Sequence, residues 1–229
     1  MSEPTVAVHP LDPMRPEVLV VIPTIPGRDD LLTRAVKSIG PETVSVMGAI
    51  EADTDGNGPS VTRNRALVRT LGAGVLPKWI AFLDDDDTFQ PDHLSKCVAH
   101  AEATGADVVY PWFDLMVGER VDNSRDPLLI GGKPAFGQPF DAAALQANNY
   151  IPVTALVRTP LFIQAGGFPE ANSEGWPHPD CEDWGLWLRL LGQGAKFSHL
   201  PERTWTWHWH GKNTSGRPDR AARMYGASS

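Results

Sequence analysis

Two cysteines, Cys97 and Cys181, are all that the 229 residues carry, too few for a disulfide scaffold. Both read as free thiols of a reducing compartment, which makes a cytoplasmic location the expectation. Cys181 sits among acids, which raise a thiol's pKa, so it is not read as a nucleophile. No apolar run approaches the ~20 residues that cross a bilayer, so membrane contact would be peripheral. The stretch from Met1 to Arg15 lacks the apolar centre of a secretory signal. Basic residues are in deficit: 20 Lys and Arg stand against 28 Asp and Glu, a net charge of −8. With a pI near 5.3, that balance disfavours nonspecific binding to nucleic acid or anionic lipid. No internal repeat is evident. What remains is a globular composition, 41% hydrophobic and 21% charged, in a chain that can bury roughly 70–75% of its unfolded surface.

The most informative feature present is Asp84-Asp85-Asp86-Asp87, directly after the apolar run Trp79-Ile80-Ala81-Phe82-Leu83. The run has the length and composition of a buried strand. Four adjacent carboxylates repel one another unless solvated, protonated or bound to a cation. In open α/β sheets ligands bind beyond the carboxyl ends of the strands. Carboxylates placed there suit Mg²⁺ or Mn²⁺, which in turn holds a diphosphate. The plainer reading is a solvated acidic turn before a helix started by Pro91-Asp92.

The rest of the first half supports a layered sheet. Val18 to Ile22 is apolar without alternation, as in a strand covered on both faces. Asp29 and Asp30 suit a helix's first turn. Leu31, Leu32, Ala35, Val36 and Ile39 give that helix its core stripe, and Gly40-Pro41 stops it. A second strand fits Val44 to Ile50. A second helix fits Ser60 to Leu71, with Val61, Leu67, Val68 and Leu71 inward and Gly72 after its end. A third helix fits Asp92 to Thr104, followed by a short strand, Asp107 to Tyr110. The order through residue 110 is β-α-β-α-β-α-β, a doubly wound α/β pattern.

From Pro111 to Tyr150 the pattern breaks at Asp126-Pro127, Gly131-Gly132-Lys133-Pro134 and Gly137-Gln138-Pro139. The stretch reads as an inserted lid or acceptor-facing flap, or as a plain structural connection. A strand over Val153 to Val157 and a helix around Pro160 to Ala165 follow, closed by Gly166-Gly167. A second acidic element is Asp180-Cys181-Glu182-Asp183. Asp180 suits an N-cap and Asp183 the N3 position of a helix whose apolar face is Trp184, Trp187, Leu188 and Leu191. Asp183 is a capping residue or a functional acid on this spacing. The segment from Thr204 to Ser215 alternates Trp205, Trp207 and Trp209 with His208 and His210, which share a face if extended.

Together these segments resemble the family 2 glycosyltransferases of the GT-A fold. The resemblance runs from about Val18 to Ser215. It rests on Pro23-Thr24 and Arg28 after the opening strand, on Asp53-Thr54-Asp55-Gly56, and on Thr62-Arg63-Asn64-Arg65-Ala66-Leu67. It rests further on the Asp-x-Asp element with its trailing acid, on Gly166-Gly167-Phe168, and on Glu182-Asp183 followed by Leu186-Trp187-Leu188-Arg189-Leu190. The fold implied is one Rossmann-like α/β domain over 17–215, with a mostly parallel central sheet flanked by helices. A nucleotide-binding half (17–110) and an acceptor-binding half (111–215) would lie between a loosely ordered segment, 1–16, and a tail, 216–229.

The resemblance implies an inverting, metal-dependent, hexosyltransferase-like enzyme using Mn²⁺ or Mg²⁺. It would move a sugar from a nucleotide-diphosphate sugar to an acceptor hydroxyl. The acceptor class stays open between glycan, protein, lipid-linked glycan and modified nucleic-acid base. Pro23, Thr24, Arg28 and Glu51 would line the nucleotide pocket, although many relatives carry Asp in place of Glu51. Asp84 would contact the ribose, with Asp85 the variable middle acid beside the nucleotide sugar. Asp86 would bind the metal, with Asp87 orienting it. Arg63 and Arg65 would hold the diphosphate, or be ordinary helix arginines. His210 would complete the metal shell, with His208 in reserve. Asp183 would be the general base, Glu182 its neighbour at the acceptor, and Trp176 a stacking surface for acceptor. Two rivals are a nucleotidyltransferase, disfavoured by the glycine-poor stretch Pro23 to Arg28, and a catalytically silent nucleotide-sugar-binding module.

Overall fold

An apolar strand with no polar face needs cover on both sides. In the computed structural model, β1 (Val18–Thr24) is buried almost throughout and runs parallel to both of its neighbours, β2 (Val46–Ala52) and β3 (Trp79–Phe82). The structure describes residues 14–123, 129–130, 133–134, 136–170 and 182–210. Successive side chains of β1 point to opposite faces. Leu19 and Val21 join one core with Ala66 and Leu67 of α2 (Pro59–Gly72). Val18, Val20 and Ile22 join another, with Ala35 of α1 (Asp29–Ser38) and with Leu94 and Cys97 of α3 (His93–Thr104).

The remaining strands are β4 (Thr88–Phe89), β5 (Val108–Val117), β6 (Arg120–Val121), the separate pair β7 (Leu129–Ile130) and β8 (Lys133–Pro134), β9 (Leu156–Arg158) and β10 (Phe197–Trp209). Helices α4 (Ala142–Ala147), α5 (Thr159–Gln164) and α6 (Glu182–Gly192) complete the described elements. The main sheet runs β2-β1-β3-β9-β5-β10-β4, with β6 beside β5. Its long pairings, β1 with β2 and β5 with β10, are parallel. The short β9 is antiparallel to both neighbours, so the sheet is mixed. No helix among the described residues is long and apolar enough to cross a membrane.

Several local readings shift. The second strand is displaced two residues, to Val46–Ala52, and the strand expected at Val153 to Val157 is only Leu156–Arg158. The short strand that seemed to stop at Tyr110 continues to Val117. Pro111 lies beyond the reach of β9 and beside an irregularity in the register with β10, where no ladder donor is needed. The first part of the supposed insertion is therefore central sheet. Val36 and Val68, expected inward, are exposed. The buried face of α2 carries Ser60, Thr62 and Arg63 beside Ala66 and Leu67. Asp92 begins α3 in the left-handed region (φ 62°) and its side chain caps nothing. Glu42 caps instead, accepting the N–H groups of Leu94 and Ser95 at 3.0 Å each. Asp180, Cys181 and Trp176 lie outside the described residues, as do the two ends of the chain.

The Gly-Gly-Phe turn after α5 has a specific backbone reason. Gly166 and Gly167 both have positive φ, 76° and 75°. The Asn64 amide donates to the Phe168 carbonyl and accepts its N–H, both at 3.0 Å. A Cβ on Gly167 would lie 2.7 Å from Asn64 Oδ1, whereas one on Gly166 meets nothing within 4 Å. Gly167→Ala should thus lower the free energy of urea unfolding by about 1–3 kcal/mol, and clearly more than Gly166→Ala. Equal losses would mean that the Asn64 contact does not constrain this turn.

Candidate active site

Buried β3 delivers its chain to the sheet's edge, where Leu83 still donates to the Val21 carbonyl and the acidic turn begins. The turn closes with the Asp87 N–H on the Asp84 carbonyl at 3.1 Å. Its four carboxylates then diverge. Asp84 pairs with Arg63 Nη2 at 2.6 Å. Asp85 is buried, accepting from Thr24 Oγ1 at 2.6 Å and from Arg28 Nη1 at 2.8 Å. Asp86 lies 3.0 Å from His210 Nε2 and 3.6 Å from Arg28. Asp87 is buried and accepts the backbone N–H of His208 at 2.9 Å. Arg34 of α1 donates to the Asp86 carbonyl at 2.5 Å.

One oxygen each from Asp84, Asp86 and Asp87 lies within 4.8 Å of the others. Burial, then the charge of Asp84, pushes the Asp86 carboxyl up, against the His210 contact that lowers it. Burial, then the charges of Asp86 and Asp84, pushes Asp87 well above the usual carboxylate range. A hard divalent cation would relieve both, so the donor set fits one. His210 stands at the edge of this group. His208 differs: its Nε2 lies 3.1 Å from Thr88 Oγ1, and burial first, then Arg34 and His210, holds it down to about 4.

The second acidic pair opens α6. Glu182 Oε1 accepts from Arg63 Nη1 at 2.9 Å, so one guanidinium joins this pair to Asp84. Arg63 is 2% exposed, and its guanidinium carbon lies 5.2 Å from the Phe168 ring centroid. Burial opposes its charge, but the two carboxylates more than offset that, and its pKa is raised. Asp183 is half-buried and accepts the Trp184 N–H at 2.8 Å. Burial, then the Glu182 charge, pushes its carboxyl up to about 7, while the Trp184 N–H, the Asn149 side chain and the Arg63 charge pull it down.

The structure thus brings together Thr24, Arg28, Asp84, Asp85, Asp86, Asp87, His208, His210, Arg63 and Glu182, with Asp183 beside them. Arg63 has both terminal nitrogens on carboxylates. Arg65 is exposed and pairs instead with Asp55 at 3.2 Å. Glu51 lies opposite Pro23 in the β1–β2 register and pairs with Arg69 of α2. Asp53 serves its own loop, accepting the N–H groups of Asn57 and Gly58. Sequence reading passed over Arg34 and Asn149. A basic residue one turn into a helix and an asparagine in a loop carry no signal until the fold sets them against the acids.

The family model for glycosyl transferase family 2 matches residues 50–164, half of the chain. A curated Haemophilus influenzae protein described as an uncharacterized glycosyltransferase is 24% identical over 143 residues, 61% of this chain and 49% of that protein. The chain therefore spans about half the length of that relative. The crystal structure of S. aureus TarS 1-349 in complex with UDP-GlcNAc superposes with a TM-score of 0.62 at 16% identity, over 91% of this chain and 64% of that one. Its complex with UDP superposes with a TM-score of 0.54 at 15% identity, over 84% and 60%. That likeness carries the fold, the single GT-A domain anticipated from the motifs. With the family model covering half of its residues, the chain belongs to glycosyl transferase family 2.

Proposed function

We propose that this chain is an inverting, metal-dependent glycosyltransferase that moves a sugar from a nucleotide-diphosphate sugar to an acceptor hydroxyl. The observation that carries the reading is the junction at Arg63, where the acidic turn and the Glu182–Asp183 pair meet on one buried cation. The TarS complexes contain UDP-GlcNAc and UDP, which supports a nucleotide-sugar donor here. Pro23, Thr24, Arg28 and Glu51 would form the nucleotide side, and Asp84 and Asp85 its contact with the acidic turn. Asp84, Asp86 and Asp87, with His210 at the rim, would hold Mn²⁺ or Mg²⁺, which offsets charge on the leaving diphosphate as a Lewis acid. Residues 111–215, with Trp176, would supply the acceptor side. A cytoplasmic location fits Cys97, a buried free thiol.

Displacement at the anomeric carbon needs the acceptor oxygen to lose its proton as it attacks. A carboxylate poised near neutrality suits that task. Asp183 is the base in this account. Glu182, held by Arg63, adds its charge to the burial that raises Asp183.

A nucleotide diphosphate or nucleotide sugar present at ~100 times its dissociation constant, with Mn²⁺, should stabilise the protein by about 2.7 kcal/mol in a thermal-shift panel. Chelator or Asp86→Ala should remove that shift, and a metal-independent shift would sink the metal role. Asp183→Asn should lower transfer, or hydrolysis of the nucleotide sugar that binds, by 10²–10⁴-fold. The wild-type rate should rise as pH passes through about 7. The sign for stability is opposite. A carboxyl raised in the fold contributes most when protonated, and its contribution is lost as pH rises through its folded value. The melting temperature of Asp183→Asn should therefore exceed that of the wild type at about pH 8 and converge with it toward pH 4. Near-normal turnover in that variant would remove Asp183 from the mechanism.

A further inference from the structure

We propose that Asn149 is the positioning residue that holds the Asp183 carboxylate in place, an inference that rests on Asp183 being the base. Asn149 is a buried polar side chain, 9% exposed, in the irregular stretch between α4 and β9. Its Oδ1 accepts the Ile151 N–H at 3.3 Å. That fixes the amide so that its NH₂ donates to Asp183. The charged groups acting on Asp183 besides this donor are Glu182 on its own helix and Arg63 of α2.

The chain on both sides of Asn149 is bolted to the helix that carries Asp183. Trp184 Nε1 donates to the Leu145 carbonyl at 2.7 Å, and Trp187 Nε1 donates to the Ile151 carbonyl at 3.0 Å. Both indoles are buried. Tyr150 adds an anchor in the other direction, its hydroxyl donating to the Asp141 carbonyl at 3.0 Å and accepting the Asp141 N–H at 2.8 Å. A loop asparagine thereby acquires the rigidity of the helix it faces. A hydrogen bond to a carboxylate favours its ionised form and fixes its rotamer. The two tryptophans act through Asn149: their N–H groups set where its amide sits.

The test is an NMR titration of protein labelled with ¹³C at aspartate, the Asp183 resonance being identified by its loss in Asp183→Asn. Asn149→Ala should move the Asp183 midpoint upward by about one pH unit. Trp184→Phe, which keeps an aromatic ring and removes the N–H, should move it the same way by less. Should Asn149→Ala not fold, Asn149→Leu, which keeps the volume and removes the donor, is expected to show the upward shift. A lowered melting temperature with an unmoved midpoint would reduce Asn149 to a packing role and overturn the proposal. The titration needs no substrate. It can fail while the transfer assay still identifies Asp183 as the base, and the converse also holds.

Discussion

One buried guanidinium organises this molecule. Arg63 stands on the inner face of α2, donates from one terminal nitrogen to Asp84 and from the other to Glu182, and lies against the Phe168 ring. Burying such a group is costly, and a hydrophobic replacement of the whole cluster is often neutral or stabilising by about 1–4 kcal/mol. Breaking the cluster from one side leaves an uncompensated charge and costs about 3–5 kcal/mol. Asp84 is a third exposed, which places this case toward the low end. A cluster of this kind is weak evidence for stability and better evidence for placement. Here it fixes the end of β3 against the start of α6, two elements separated by some hundred residues of chain. Its neighbour Asn64 locks the turn ahead of that helix, so α2 is the common support of both acidic elements.

The four aspartates show how one run of like charge is divided. Asp85 pairs with Arg28 and accepts from the Thr24 hydroxyl, and Asp84 pairs with Arg63. Asp86 and Asp87 are pushed up, by burial first and by the neighbouring aspartate charges after it. One oxygen of each joins one of Asp84 where the three carboxylates converge. The same logic operates at Asp183, where Glu182 supplies the repulsion and Asn149 with the Trp184 N–H supplies the restraint.

The α/β alternation was legible because apolar runs such as Val18 to Ile22 have one physical solution, and the acidic turn was legible because four carboxylates need an explanation. The family was legible from the order of short motifs. Less legible was anything set by distant partners. The orientation of α2 was misread because Val68 and Leu71 suggested one face, while the pairing of Arg63 with Asp84 and Glu182 rotates the helix to another. The end of β5 was misread at Pro111, since only the register with β10 reveals that the missing N–H is harmless. The cap of α3 comes from Glu42, roughly fifty residues upstream, not from Asp92. Asn149 gained its place only from two indoles of α6.

Arg63 holds the two acidic elements as one site. The most direct test is a double-mutant cycle in urea unfolding with Asp84→Asn, Glu182→Gln and the pair. Either single change leaves Arg63 one carboxylate, whereas the pair leaves the buried guanidinium none. The double variant should lose more than the sum of the singles, by about 0.5–3 kcal/mol. Additivity within ~0.5 kcal/mol would mean that the two acids do not share Arg63 and do not form one site.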